Sequence, residues 1–222
     1  MNKINKVVIG DRLFKIIIKS PHVKYFWHKY RDVPIEKMKG KNMDMSIVAT
    51  TCVGGEIYHI LGRKFNTPFI NNSMQLKHFV TMACHFEEYM QAPYRLFTVP
   101  KRVGIYMQLE PKGLPVIRIR FNHDTNYDVV KENWEKRVKR INYDKLVFIC
   151  DDLGLDESDY KKFDSVKAFK KIMLTSKEIG YPWAKILPSY AGMPYVGGYF
   201  DKDFYRGIWN FEKEWNYCDF LL

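Results

Sequence analysis

Two apolar runs constrain this chain most. Ser46-Ile47-Val48-Ala49 and Leu146-Val147-Phe148-Ile149-Cys150 each read as a buried strand. Both give way to polar and glycine-containing turns, Thr50 to Gly55 and Asp151 to Gly154, and then to helical patterning. Lys171 to Thr175 reads as a further strand after a short helix around Glu157 to Phe163. Strands alternating with helices predict an α/β protein, a layered α/β/α-like single domain with a mixed sheet.

The antiparallel part of that sheet has its own signature. Val103 to Leu109 and Pro115 to Phe121 alternate in type around Glu110-Pro111-Lys112-Gly113, a strand, turn, strand signal. Arg118 and Arg120 on one side of the second run predict a sheet that is half exposed or near an edge. Two longer helices are expected. One is capped by Ser73 and runs to about Met90 on a stripe of Leu76, Phe79, Val80 and Ala83; the other spans Asp128 to about Asn142, with Val130, Trp134, Val138 and Ile141 facing the core. Thr67-Pro68-Phe69 reads as extended. Ser20-Pro21 opens a helix with Val23, Phe26, Trp27 and Tyr30 on one face, and a last helix is expected over Phe204 to Tyr217. Residues 1–45 are read as a basic helical segment packed on the main domain. Residues 46–222 are read as the α/β domain, with a Tyr-, Pro- and Gly-rich C-terminal region.

Charge narrows the partners. Of a net +11, residues 1–41 carry 11 Lys/Arg against 3 Asp/Glu, so the basic bias belongs to the N-terminal segment. A solvated basic face, an anionic ligand and an acidic membrane surface compete for it, and membrane-surface contact stays open to that segment. No reader module, zinc-finger spacing or Arg-rich tract accompanies the charge, so no specific nucleic acid is expected. Cys52, Cys84, Cys150 and Cys218 are far apart and show no C-x-x-C pairing. Reduced thiols in a cytoplasm are expected, with no leader and no stretch near the ~20 apolar residues that span a bilayer. His78, Met82 and His85 share a helix face, but zinc wants three or four ligands, and neither metal nor cofactor is expected.

Candidate chemistry centres on Cys52. A cysteine between a strand end and a helix start lies where thiolates and anions are favoured, and Gly54 and Gly55 would let backbone approach a ligand. The alternative is a small buried hydrophobe, with glycines for tight packing. His123 also follows a strand end, and loops at strand ends of one α/β sheet lie side by side. It could pair with Cys52 as in cysteine hydrolases and transferases, with Asp124, Asn122 or Asn142 orienting the ring. Arg137 and Arg140 form a stripe that suits phosphate or carboxylate, or a buried ion pair with Asp151 or Asp152.

Here the residues resemble a known family. Thr51-Cys52-Val53-Gly54-Gly55-Glu56-Ile57-Tyr58, then Thr67-Pro68-Phe69, His123 and Trp134 to Asn142, resemble a bacterial domain family of unknown function labelled as exopolysaccharide or capsule biosynthesis proteins. The order Cys52, Pro68-Phe69, His123-Asp124 and the helix after it is also similar to putative papain-like cysteine peptidases of bacteria. The resemblance implies a Cys-His site with Cys52, His123, Asp124 and Asn142 as catalytic candidates. Thr51, Gly54, Gly55, Tyr58, Arg137 and Arg140 are the candidates for substrate or anion binding. The expected activity is a hydrolase or acyl transferase on a small-molecule or glycan-type substrate of surface-polysaccharide biosynthesis. The alternatives are a non-covalent anion or nucleotide-sugar binding protein and a non-catalytic assembly subunit, and the sequence leaves the oligomeric state open.

Overall fold

The computed structural model describes residues 21, 25, 28–194, 196, 202–203 and 208–222. The chain divides into two compact units: 42–196 forms one, and the described residues before and after it form the other.

In the larger unit, parallel and antiparallel pairing are sorted into two sheets of four strands each. The parallel sheet has the order β1 (Ser46–Ala49), β6 (Leu146–Asp151), β7 (Lys170–Thr175), β8 (Ala184–Ile186). Every residue of β1 and β6 is buried, which is why both runs lack polar alternation. The antiparallel sheet has the order β2 (Asn72–Met74), β5 (Ile117–Phe121), β4 (Ile105–Leu109), β3 (Tyr94–Phe97). Its inner side chains, among them Met107, Ile117 and Ile119, are fully buried, whereas Arg118 lies on the exposed face. The α/β class and the half-exposed antiparallel sheet are as the patterning predicts.

The helices of this unit are α2 (Val53–Ile60), α3 (Leu76–Cys84), α4 (Phe86–Met90), α5 (Tyr127–Val138) and α6 (Glu157–Ser165). Helix α3 packs on α6 and touches strands of both sheets, β5 and β6. An aromatic cluster fills the core. Phe79 and Phe86 meet Phe148 edge-on at 5.9 and 5.4 Å, and Phe69 meets Trp134 at 5.7 Å.

Several expected boundaries move, each for a local reason. Ser73 is not a helix cap; it sits in β2 opposite Arg120, and α3 starts at Leu76. The expected helix to Met90 breaks at His85, whose φ of −133° leaves the helical region. Helix α5 begins where Asn126 Oδ1 accepts from the amides of Asp128 and Val129. It ends at Val138 instead of Asn142, because the amides of Arg140 and Ile141 bond back three residues and tighten the last turn. Thr67-Pro68-Phe69 lies in the loop between α2 and β2.

In the other unit, α1 (Val33–Met38) follows a π-helical turn over His28–Asp32 that holds Tyr30. A short antiparallel pair, β9 (Lys202–Asp203) and β10 (Ile208–Trp209), precedes α7 (Asn210–Glu214) and α8 (Tyr217–Leu221). Helix α8 packs on α1, and Lys37 Nζ meets Asp219 Oδ1 at 3.3 Å. The expected last helix therefore starts at Asn210, after a strand. Val23, Phe26 and Trp27 of the expected opening helix, like Phe204 to Gly207, lie outside the described residues. Among the described residues no helix is long and apolar enough to cross a membrane.

Candidate functional site at the carboxyl edge of the parallel sheet

Strand β1 runs out at Ala49, and the Thr50 amide extends its ladder with a bond to the Ile149 carbonyl at 3.2 Å. The chain then turns through Thr51 into α2, with Cys52 at the N-cap position. The helix closes its first bond from the Glu56 amide to the Cys52 carbonyl, at 3.0 Å. The amides of Gly54 and Gly55 precede that bond and have no partner within the helix. The Val53 amide reaches Thr51 Oγ1 at 3.4 Å.

The glycines serve packing. A Cβ at Gly54 would sit 3.3 Å from both Ala49 Cβ and Ile47 Cγ2, and one at Gly55 would sit 3.4 Å from Ile70 Cγ2. The bare Gly54 lets helix α2 lie this close to its own strand, and the bare Gly55 lets the loop at Ile70 and Asn71 approach the helix. Tyr58 also turns inward. Its hydroxyl donates to the Met45 carbonyl at 2.7 Å and accepts from the Ile47 amide at 3.0 Å, pinning the helix to the start of β1. Burial pushes this phenol up to about 12.

Cys52 itself is only partly buried, unlike Cys150 and Cys218. Burial raises its thiol above the ordinary value; a hydrogen bond from the Asn122 side chain pulls it back, and the Glu56 charge adds a small upward push. Asn122 is held in turn, since its Oδ1 accepts from Ser73 Oγ at 3.0 Å and its amide donates to the Asn71 carbonyl. With Oδ1 engaged, the carboxamide NH₂ is the end left for the sulfur. The loop after β5 thus meets the turn after β1, and the residue at the thiol is Asn122. His123, next along the chain, is exposed.

The other candidates spread away from this point. Asp124 lies beside Arg137: burial and the Arg140 charge lower the Arg137 guanidinium, and Asp124 opposes them. Arg137 stacks over Phe65 at 5.4 Å, and Arg140 lies close enough to Tyr58 for its charge to act on the phenol. The Arg140 Nε is buried without a hydrogen-bond partner among the described residues. The two arginines are therefore neighbours of the Tyr58 end of α2. Of the alternative ion-pair acids, Asp152 is engaged elsewhere: its carboxylate accepts from the Ser176 amide and hydroxyl and from the Val196 amide. Asn142 does not reach Cys52. Its amide donates to Ser46 Oγ at 2.9 Å and its Nδ2 to Asp44 Oδ2 at 3.3 Å, which fixes it at the opposite end of β1.

A cleft of 440 Å³ opens beside this junction, lined by Thr50, Thr51, Ser73, Gln75, Lys77 and Asp151 among others. It lies at the carboxyl ends of β1 and β6, where open α/β sheets place their ligands. Thr50 Oγ1 and Thr175 Oγ1, both at strand ends, are buried without a partner among the described residues. Ser73 joins the cleft to the thiol, lining the first and bonding the Asn122 that serves the second. Sequence reading missed Ser73, Gln75, Lys77 and Asp151 as site residues; only Asp151, ending an apolar run, carries a local signal. Among the described residues no group of three or more His, Cys, Asp or Glu is placed to hold a metal ion.

Comparison with known proteins adds a family. A model described as "Domain of unknown function (DUF1919)" matches residues 23–216. An uncharacterised protein of Haemophilus influenzae is 26% identical over 184 residues, covering 81% of this chain and 84% of its own.

Proposed function

The chain belongs to the DUF1919 family, and for it we propose a cysteine-dependent acyl transfer or hydrolysis with Cys52 as the nucleophile. The observation that carries this reading is the place of Cys52, partly exposed at the N-cap of α2, with the Asn122 side chain near enough to act on its thiol. A polar neighbour and a helix start beside a cleft favour the charge that develops when the thiol reacts. Partial exposure of Cys52 also argues against its being a mere core filler.

The thiol rests protonated, so the proton has to leave during the attack. In the proposed cycle His123 accepts it as the sulfur adds to the acyl carbonyl carbon. The first-turn amides of Gly54 and Gly55 supply donors for the oxyanion. Collapse expels the alcohol or amine, which takes the proton back from His123, and leaves a thioester on Cys52. Water or an acceptor hydroxyl then releases the acyl group and restores the thiol. Surface-polysaccharide material as the carrier of the acyl group is a choice that rests on the sequence resemblance.

The test is incubation with p-nitrophenyl acetate, followed by intact-mass and peptide analysis. One acetyl group per chain on Cys52, absent in Cys52→Ala and slowed in His123→Ala, is the expected result. Acetylation that is spread over lysines, or unchanged in Cys52→Ala, overturns the reading.

A further inference from the structure

The outer face of the antiparallel sheet carries a second, differently built surface. Register sets it up. Ser73 pairs with Arg120, Arg120 with Tyr106 and Tyr106 with Phe97, so one row crosses all four strands. A second row runs Arg118, Gln108, Arg95. Side chains alternate along a strand, so both rows stand on the face opposite the buried Ile105, Met107, Leu109, Ile117 and Ile119.

The first row and Arg118 floor a groove of 840 Å³ whose lining includes His78, Phe97, Arg102, Tyr106, Arg118 and Arg120, and among the described residues no acidic residue lines it. Arg118 Nε donates to Gln108 Oε1 at 3.1 Å and Arg120 Nε to the Val103 carbonyl at 3.0 Å. Each bond uses one edge of a guanidinium and leaves the terminal nitrogens for another acceptor. Glu110, the acid at this end of the sheet, is engaged by Arg95 Nε at 3.3 Å and Gln108 Nε2 at 2.6 Å. Among the described residues Arg102, Arg118 and Arg120 meet no carboxylate. Three positive charges thus face one groove without a counter-charge.

The groove is also aromatic. Phe97 and Tyr106 stack at 5.6 Å with planes 29° apart, Arg118 lies over Phe97 at 5.9 Å and Arg120 over Tyr106 at 6.0 Å. The Tyr106 hydroxyl is shielded from solvent and has no partner among the described residues. Planar guanidiniums suit phosphate oxygens, and stacked rings suit a flat heterocycle. The volume is that of a site for one small molecule.

We propose that this groove binds a nucleoside diphosphate, its phosphates on Arg102, Arg118 and Arg120 and its base against Phe97 and Tyr106. Ser73 and Gln75 line both this groove and the cleft beside Cys52. A substrate carrying the nucleotide at one end extends from the groove toward the thiol. That last point rests on the Cys52 reading; the binding itself does not.

Calorimetric titration of the full chain with ADP, UDP and inorganic pyrophosphate tests the inference. ADP or UDP is expected to bind more tightly than pyrophosphate. Arg118→Gln and Arg120→Gln should each weaken binding by about tenfold, Arg118→Lys and Arg120→Lys by less, and Phe97→Leu should remove the advantage over pyrophosphate. Circular dichroism confirms that each variant is folded. Cys52→Ala should bind as the parent does, and the arginine variants should still acetylate Cys52, so this inference and the enzyme reading fail separately. Absence of nucleotide binding overturns the proposal, as does pyrophosphate binding equal to that of ADP and UDP. A single-stranded decanucleotide that binds more tightly than either mononucleotide also overturns it, in favour of nucleic acid.

Discussion

The two sheets of the larger unit solve the same packing problem in opposite ways. The parallel sheet buries β1 and β6 on both faces, so its chemistry is pushed to the strand ends, where Thr50, Cys52, Asp151 and Thr175 gather. The antiparallel sheet buries one face and leaves the other free, so its polar chemistry lies across the middle of the strands. One sheet offers a point, the other a floor. Neighbouring surfaces of one fold can therefore take on different tasks, one reactive and one adhesive.

Stability measurements could break this contrast outright. On β6, Phe148→Ala is expected to cost about 3–5 kcal/mol and its neighbour Ile149→Ala about 2–5 kcal/mol, although the two point to opposite faces. On β5, Ile119→Ala should cost about 2–5 kcal/mol while Arg118→Ala changes stability by about 0.5 kcal/mol or less. Urea unfolding checks all four. A mild Ile149→Ala would mean that the parallel sheet is covered on one side only.

A smaller effect is expected where α2 lies on β1. Gly54→Ala adds a Cβ 3.3 Å from two strand side chains, so it should cost about 1–3 kcal/mol by overpacking. Thermal unfolding reads this, and an unchanged midpoint would show that the helix can lift from the strand freely.

The finest discrimination is chemical. Iodoacetamide should modify Cys52 ahead of buried Cys150 and Cys218 under native conditions. Burial raises the Cys52 thiol, so the midpoint of its rate against pH should lie above the ~8.5 at which a free cysteine is half ionised. Asn122→Ala removes the one hydrogen bond that lowers the thiol, so labelling at pH 8 should slow by a few-fold. A midpoint at the free-thiol value would place Cys52 in open water and not at a shielded strand end.

Legibility in the sequence follows the same division. β1 and β6 are readable because doubly buried strands leave apolar runs, β7 because its last four residues are buried, and Arg118 and Arg120 betray the exposed face of β5. Cys52 stands out as a cysteine at a strand-to-helix turn. The short strands Tyr94–Phe97 and Ala184–Ile186 escape, since Arg95 and Lys185 interrupt runs already too brief to show a period. Ser73 shows the deeper difficulty. Serine before an apolar helical stripe reads as a cap, yet pairing with Arg120 draws it into a strand. Its partner Asn122 is 49 positions away, and such a meeting leaves no mark on local pattern. Asn142 misleads for the mirror reason: it ends a convincing helical motif, but Asp44 and Ser46 tie it to the far end of β1.

The three residues of β2 hold more in place than their length suggests. Asn72 and Met74 point toward the interior and Ser73 outward, an arrangement fixed by three pairings with β5. Sliding that segment by a single position would invert every one of its side chains. The thiol would lose its tethered amide, and the two binding surfaces would lose their common wall in the same stroke. Alignment of one short edge segment is thus a shared dependency, and damage there would disturb both proposed sites together.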